Sequence, residues 1–136
     1  MPVLDTQILF ALNPKDRFHE RTLTRLTDLR RKNLTLHAPD TAVLEFQVVL
    51  RSMDRRTDMV RKALMALRAA LEMNGAIETQ TLDTDLLMQQ CEIEGKYGLS
   101  YFDSLIAASA LRLNDEILSD DESFDKVPGI KRIPLS

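Results

Sequence analysis

Residues 2–12, PVLDTQILFAL, decide the fold class, because they change from a strand pattern to a helical pattern at one acidic residue. The apolar residues up to Asp5 are typical of a short buried strand, and residues 6–12 are expected to form a short helix. Asn13-Pro14 ends that helix, since proline disfavours a helical conformation in the residue before it. A strand that leads directly into a helix indicates an α/β fold.

The rest of the chain alternates in the same way. Apolar or Thr-rich runs predict four more strands at residues 34–38, 77–82, 116–119 and 130–135. Helical periodicity predicts helices near residues 18–29, 41–53, 60–71, 84–96 and 102–113. Parallel neighbours need long crossovers, and 136 residues suffice for one core. We therefore expect a single three-layer α/β/α domain over residues 1–136, with a central parallel sheet of about five strands.

The composition bears on disulfide bonds, membrane spans and the cellular compartment. The single cysteine, Cys91, excludes an internal disulfide and is expected to be a small core residue. The chain begins with a strand-like segment, and no apolar stretch approaches the ~18 residues of a membrane span. We expect a cytoplasmic protein without a membrane partner.

The charge is unevenly distributed although the net charge is only -3. Residues 1–68 hold 13 of the 18 Lys and Arg, concentrated in residues 15–32 and 51–68. Such a surface could steer a polyanion towards acidic residues. Alternatively, these stretches are the solvated sides of two amphipathic helices, which the sequence alone slightly favours.

Four acidic residues stand in apolar or turn contexts: Asp5 in PVLDTQIL, Glu45 in TAVLEFQVVL, Asp103 in LSYFDSLIAASAL and Asp121 in EILSDDESF. Asp5 ends the first predicted strand and Asp121 lies just past the fourth. Ligand crevices of parallel sheets lie beyond the carboxyl ends of the strands. If these two strands are neighbours, the topology brings their carboxylates together.

Each acid also has an ordinary structural explanation. Asp5 could cap the following helix, Asp121 could form a turn, and Asp103 has capping-box spacing from Ser100. Glu45 is harder to explain, because its helix neighbours are apolar and a dehydrated carboxylate needs a partner or a metal. These explanations stay open for each acid singly, but the four acids together suggest one site.

Converging carboxylates raise one another's pKa and stay ionised only if a cation offsets their charge. Oxygen ligands favour Mg²⁺ or Mn²⁺ over Zn²⁺, and His19 and His37 show no ligand spacing. Such a metal could deprotonate a water and stabilise the leaving oxygen of a phosphodiester. The four acids therefore predict a metal-dependent nuclease.

Over residues 3–135 the chain resembles the PIN domain family, and within it the small VapC-type ribonuclease toxins. The matching motifs are LDTQIL at residues 4–9, with Gln7 where Asn is usual, VLEF at 43–46, YFDSLIAA at 101–108 and SDDESF at 119–124. PGIK at 128–131, followed by Ile133, is similar to the closing turn and strand of the family.

The resemblance implies RNA cleavage at one Mg²⁺ or Mn²⁺ site. It also implies roles for individual residues: Asp5, Asp103 and Asp121 would hold metal directly or through water, and Glu45 would ligate a metal or orient the attacking water. The hydroxyls of Thr6 and Ser119 would support these carboxylates. Asp120 adjoins Asp121 and would replace it if the register differs by one residue.

The resemblance further implies a homodimer and a small antitoxin whose helix lies in an apolar groove. Val60, Leu64, Leu67 and Leu71, with nearby methionines 53, 59, 65 and 73, are a candidate surface for it, although such a stripe is more often core.

Three alternatives compete with a nuclease. An aspartyl-nucleophile phosphatase needs a second Asp where Gln7 stands. A phosphoacceptor receiver domain needs a paired acid at the first strand, a central-strand Asp and a Lys near the last strand, and the chain does not meet this pattern. A PIN-like RNA- or protein-binding module without nuclease activity stays open.

Overall fold

A computed structural model describes residues 1–53 and 55–136. Its five strands are β1 (Val3–Leu4), β2 (Leu36–Pro39), β3 (Ala76–Thr79), β4 (Glu116–Leu118) and β5 (Lys131–Ile133). Its α-helices are α1 (Thr6–Ala11), α2 (His19–Arg31), α3 (Asp40–Ser52), α4 (Thr57–Met73), α5 (Thr84–Tyr97) and α6 (Tyr101–Leu113). A 3₁₀ helix over Glu122–Lys126 lies between β4 and β5.

The strands form one parallel sheet with the order β3-β2-β1-β4-β5. Val3 of β1 lies opposite His37 of β2 on one side and opposite Ile117 of β4 on the other. The helices flank this sheet, so the predicted α/β/α fold with a central parallel sheet of five strands is confirmed.

The middle of the sheet is fully buried. Val3, Leu4, Ile117 and Leu118 have no exposed surface, which is typical of parallel strands covered on both faces. The side chains of residues 104–110 in α6 are all buried as well, and the helix packs against α3 and α5. The start of α6, which carries Asp103, is thereby held in a fixed position.

The limits of the predicted elements differ from the observed ones by up to three residues. The strand predicted at 34–38 is observed at Leu36–Pro39, and the one predicted at 77–82 at Ala76–Thr79. The prediction that Cys91 is a core residue was wrong, because its side chain is exposed. The buried residues of α5 are Leu86, Gln90 and Ile93, and Cys91 falls just outside that face.

The apolar stripe of α4 is mainly core. Val60, Leu67 and Leu71 are buried, Leu64 is half-buried, and the four neighbouring methionines are exposed. Among the helices of the described residues, none combines the length and the apolarity that crossing a bilayer requires.

Candidate functional site

The candidate site lies at the carboxyl edge of the sheet, between β1 and β4. The strand order changes direction here, because β2 and β3 follow on one side of β1 while β4 and β5 lie on the other. Asp5 follows β1 directly, and its backbone N–H donates to the carbonyl oxygen of Leu118 at 3.2 Å. Crevices at such switch points are the usual ligand sites of parallel sheets.

Asp5 is buried, with 6% of its surface exposed. One carboxylate oxygen accepts a hydrogen bond from the Ser119 hydroxyl at 2.6 Å, and the other accepts one from the Thr6 backbone N–H at 2.7 Å. Burial raises the pKa of Asp5 to about 7, and the negative charges of Asp103 and Glu45 add to the rise, against the lowering effect of the two hydrogen bonds. Asp5 therefore caps α1 and also faces other acids.

Glu45 lies half-buried on α3, which packs against α1. Burial raises its pKa, a hydrogen bond with the Thr6 side chain lowers it, and the charge of Asp103 raises it again. The apolar surroundings expected for Glu45 are only partly present, because Leu44 and Val48 are 41% exposed. One side of Glu45 therefore faces towards solvent.

Asp103 is the third residue of α6 and is half-buried. Its backbone N–H donates to the Ser100 hydroxyl at 3.2 Å, which identifies Ser100 as the N-cap of the helix. Burial raises the pKa of Asp103, a hydrogen bond with Ser100 lowers it, and the charge of Asp121 raises it. Asp103 thus lies in the first turn of α6 and is also close to a further acid.

Asp120 and Asp121 have different surroundings. Asp120 accepts a hydrogen bond from the backbone N–H of Leu135 at 2.9 Å and so ties down the C-terminal segment. Asp121 is exposed and accepts one from Ser123 at 2.9 Å, as the cap of the 3₁₀ helix. Its backbone N–H donates to the Ser119 hydroxyl at 3.0 Å, and its charge acts on Asp103. Of the two, Asp121 is the one that contributes charge to the acidic group.

The four acids are close enough to act on one another electrostatically. Asp5 is affected by Asp103 and Glu45, Glu45 by Asp103, and Asp103 by Asp121. Within residues 1–53 and 55–136, no three His, Cys, Asp or Glu side chains are spaced to hold a metal ion as they stand. The donors are all oxygens, and Mg²⁺ commonly keeps several waters and takes one or two carboxylates directly. The chemistry of the donor set thus fits a hydrated hard cation.

Sequence reasoning missed Arg132, which lies on β5 with only 17% of its side chain exposed. Its guanidinium donates to both carboxylate oxygens of Asp125, at 3.0 and 3.2 Å, and to the carbonyl oxygen of Ser119 at 3.2 Å. Arg132 therefore holds the residue whose hydroxyl contacts Asp5. The only signal in the sequence was an arginine inside a short strand, which is too common to identify such a role.

Fold and site together define a parallel α/β protein with an acidic crevice at the switch point of its sheet. The family model of the PIN domain matches residues 3–130, and the chain belongs to the PIN domain family. No curated protein matches this sequence significantly.

Several solved structures share the fold. VapBC2 from Rickettsia felis, bound to a DNA fragment from its promoter, is 17% identical, covers 97% of this chain and 96% of its own, and has a TM-score of 0.68. The Mycobacterium tuberculosis toxin VapC20, described as cleaving the sarcin-ricin loop, is 18% identical over 92% of this chain and 93% of its own, with a TM-score of 0.66. FitAcB from Neisseria gonorrhoeae is 18% identical, covers 99% and 98% of the two chains, and has a TM-score of 0.63.

Proposed function

We propose that this protein is an Mg²⁺- or Mn²⁺-dependent endoribonuclease that hydrolyses RNA phosphodiesters, and that it is the toxin of a toxin–antitoxin pair. The observation that carries the proposal is the buried carboxylate of Asp5, which faces other acids at the carboxyl edge of a PIN-family sheet. A structural cap alone does not account for so crowded a set of like charges.

A divalent cation would supply the positive charge that offsets the four carboxylates. Asp5, Asp103 and Asp121 would hold the metal directly or through water, and Glu45 would ligate it or orient the attacking water. When bound, the metal lowers the pKa of a coordinated water and offsets charge on the leaving oxygen. The Ser119 hydroxyl and the Thr6 backbone N–H each fix one oxygen of Asp5, so that its carboxylate is oriented before any ligand arrives.

The nuclease proposal is tested by incubating the purified protein with RNA, with and without Mg²⁺ or Mn²⁺. We expect cleavage that stops in chelator and in the variants Asp5→Asn and Asp103→Asn. The neighbouring pair Asp121→Asn and Asp120→Asn is a matched control, and only the first should remove activity. Cleavage that survives chelator or both active-site substitutions would contradict the metal site, and RNA binding without cleavage would favour the non-enzymatic module.

The proposed antitoxin partner is supported by an apolar groove between α1, α2, α3 and α4. The groove has a volume of about 690 Å³. Phe10 and Phe46 pack together in its wall with ring centroids 4.5 Å apart. On α4, the groove is lined by the small side chains of Ala63, Ala66 and Ala70. A chain of a toxin–antitoxin complex from Klebsiella pneumoniae shares this fold, with 17% identity and a TM-score of 0.64. An amphipathic antitoxin helix fits a groove of this kind.

The groove can be tested without touching the acids. Ala66 is exposed and lines the groove, whereas the adjacent Met65 is exposed and does not line it. Ala66→Glu should prevent co-purification with the antitoxin, to be sought as the product of a short reading frame immediately upstream, and should leave RNA cleavage unchanged. Met65→Glu should affect neither. Loss of the complex in both variants, or in neither, would contradict this docking site.

We also propose a homodimer in the cytoplasm, built from one domain over residues 1–136. Exposed apolar side chains on α3 and α5 support self-association: Leu44, Val48, Leu87 and Met88. Light scattering of the purified protein should give twice the chain mass, and a monomer at micromolar concentration would contradict the dimer.

A further inference from the structure

A second polar feature lies on α2, which contacts the segment after β5. The side chain of Arg25, in the middle of that helix, donates to the carbonyl oxygen of Pro134 at 3.0 Å. Pro134 follows β5, so it lies at the same carboxyl edge of the sheet as Asp5. The next residue, Leu135, donates its backbone N–H to Asp120, the neighbour of Asp121. The C-terminal segment thus links α2 to the loop that carries the fourth acid.

Between α2 and Leu135 lies a cleft of about 640 Å³. Its polar lining consists of three arginines, two threonines and one acid: Arg21, Arg25, Arg31, Thr24, Thr27 and Asp28. Asp28 is shared between Arg25 at 3.3 Å and Lys32 at 3.4 Å. Within the described part of the chain, Arg21 and Arg31 form no ion pair, so the cleft carries an excess of positive charge.

The positive surface continues towards the start of α2. The guanidinium groups of Arg17 and Arg21 lie over the ring of Phe18, at 4.6 and 5.7 Å from its centroid. Contacts of this kind limit the freedom of the side chains while leaving their N–H groups available. Arg21 is thereby pre-oriented at the mouth of the cleft.

We propose that the α2 cleft binds the RNA backbone next to the phosphate that is cleaved. This inference rests on the proposed ribonuclease function and adds a substrate-binding surface to it. The four carboxylates of the candidate site repel phosphates, so an RNA strand needs cationic contacts outside the metal site. Arginine forks and threonine hydroxyls are the donors that bind phosphate oxygens. The inference concerns the basic stretch on α2, because its arginines line the cleft.

Binding is measured on the Asp5→Asn background in chelator, so that neither cleavage nor metal contributes. The probe is a fluorescent single-stranded RNA of twelve nucleotides, titrated at several salt concentrations. The test variant carries Arg21→Ala and Arg31→Ala, both at exposed positions. The matched control carries Arg61→Ala and Lys62→Ala, which removes the same two charges from exposed positions on α4.

The test variant should bind the RNA roughly tenfold more weakly at low salt, and the slope of log K against log salt should fall by about 0.7 for each phosphate that the protein no longer neutralises. The control should stay within twofold of the parent. In the active protein, the same test substitutions should raise KM and leave kcat nearly unchanged. Unchanged thermal unfolding shows that the fold is intact.

The outcomes separate this inference from the proposed function. If the active protein cleaves RNA but the test variant binds as tightly as the parent, or the control loses as much affinity, the α2 cleft is not the binding surface. If the variant loses affinity for the antitoxin but not for RNA, the cleft binds an acidic peptide and the inference fails. A parent that neither binds nor cleaves RNA overturns both proposals.

Discussion

The carboxyl ends of β1 and β2 carry the same two residues, Asp-Thr, but the surroundings of the two carboxylates differ. Asp5 precedes Thr6 and Asp40 precedes Thr41. In both places the Asp carboxylate accepts a hydrogen bond from the backbone N–H of the following Thr, at 2.7 and 3.0 Å. What distinguishes the two regions is the number of donors and of acids around each carboxylate.

Asp40 is surrounded by donors. Besides Thr41, its oxygens accept hydrogen bonds from the backbone N–H groups of Thr81 and Leu82, both at 3.0 Å, and from the Thr81 hydroxyl at 2.8 Å. The Thr81 hydroxyl lies 2.8 Å from that of Ser109, which lies 2.8 Å from that of Thr41. This network fastens α3 and α6 to the segment after β3, so Asp40 is a structural residue.

Among the described residues, the Asp5 carboxylate accepts hydrogen bonds from two donors, Thr6 and Ser119, and two acids act on it. Burial and the neighbouring acids disfavour its negative charge, whereas several donors surround the Asp40 carboxylate. Donors stabilise the negative charge of a carboxylate that holds the fold, whereas neighbouring acids disfavour it, and this difference supports the proposal that Asp5 binds a cation.

The largest expected effect is the loss of RNA cleavage when the charge of Asp5 is removed. Asp5→Asn should reduce RNA cleavage on the order of a thousandfold, because the residue loses its charge towards the metal. Stability without metal should not fall, since an Asn side chain can still accept from Thr6 and donate to the hydroxyl of Ser119. Cleavage rates and denaturant unfolding of the same preparation test both statements. A strongly destabilised but active variant would reverse the assignment of Asp5.

The pH dependence of stability should differ between the parent and Asp5→Asn. In metal-free buffer, native Asp5 keeps its proton up to a pKa of about 7, whereas the unfolded chain releases it near 3.8. The native state therefore binds more protons in this window, and the free energy of unfolding falls as pH rises from about 4 to 7, by up to roughly 1.4 kcal/mol per pH unit.

Denaturant unfolding at several pH values, compared with Asp5→Asn, measures this contribution. The slope should be shallower in the variant, and added Mg²⁺ should restore stability to the parent at high pH. Equal slopes in the two proteins would show that Asp5 is not the group that titrates. Glu45 and Asp103, whose pKa values are also raised, contribute to both proteins in the same direction.

Asp40→Asn should show the opposite pattern to Asp5→Asn. The Asn amide would place an N–H₂ group where a carboxylate oxygen now accepts hydrogen bonds from Thr81 and Leu82. Because these donors would lose their acceptor, we expect a loss of about 2 kcal/mol in the free energy of unfolding. Cleavage by the folded fraction should stay within a few-fold of the parent. A large loss of activity at conditions where the variant is fully folded would place Asp40 in the active site and remove the distinction between the two residues.

This pair also shows how far the sequence predicts the molecule. The strands and helices follow from apolar runs and periodicity, which are local, so their number and type were predicted well. The local pattern of Asp5 is nearly the same as that of Asp40. What distinguishes them are the donors Thr81 and Ser119 and the acids near Asp5, all of which are distant in sequence. Such donors are visible only once the fold has placed them.

The other features that the sequence did not predict also depend on tertiary contacts. Asp120 and Asp121 are equivalent in sequence, and the contact of Asp120 with Leu135 distinguishes them. The role of Arg132 depends on contacts with Ser119 and Asp125, which neighbouring elements supply. The solvent-facing side of Glu45 depends on how α3 is rotated against α1. Tertiary contacts, unlike periodicity, leave no local signature.

The smallest expected effect concerns Arg132, which acts on Asp5 only through Ser119. Arg132→Lys keeps the charge but loses the fork that binds both oxygens of Asp125 and the Ser119 carbonyl together. We expect kcat to fall several-fold, because the hydroxyl that orients Asp5 is held less firmly, while KM and RNA affinity stay unchanged. Ser119→Ala should lower kcat further, and Arg132→Lys should add little in the Ser119→Ala background. An independent effect of Arg132→Lys in that background, or a change in KM alone, would show that Arg132 contacts RNA directly and does not position Asp5.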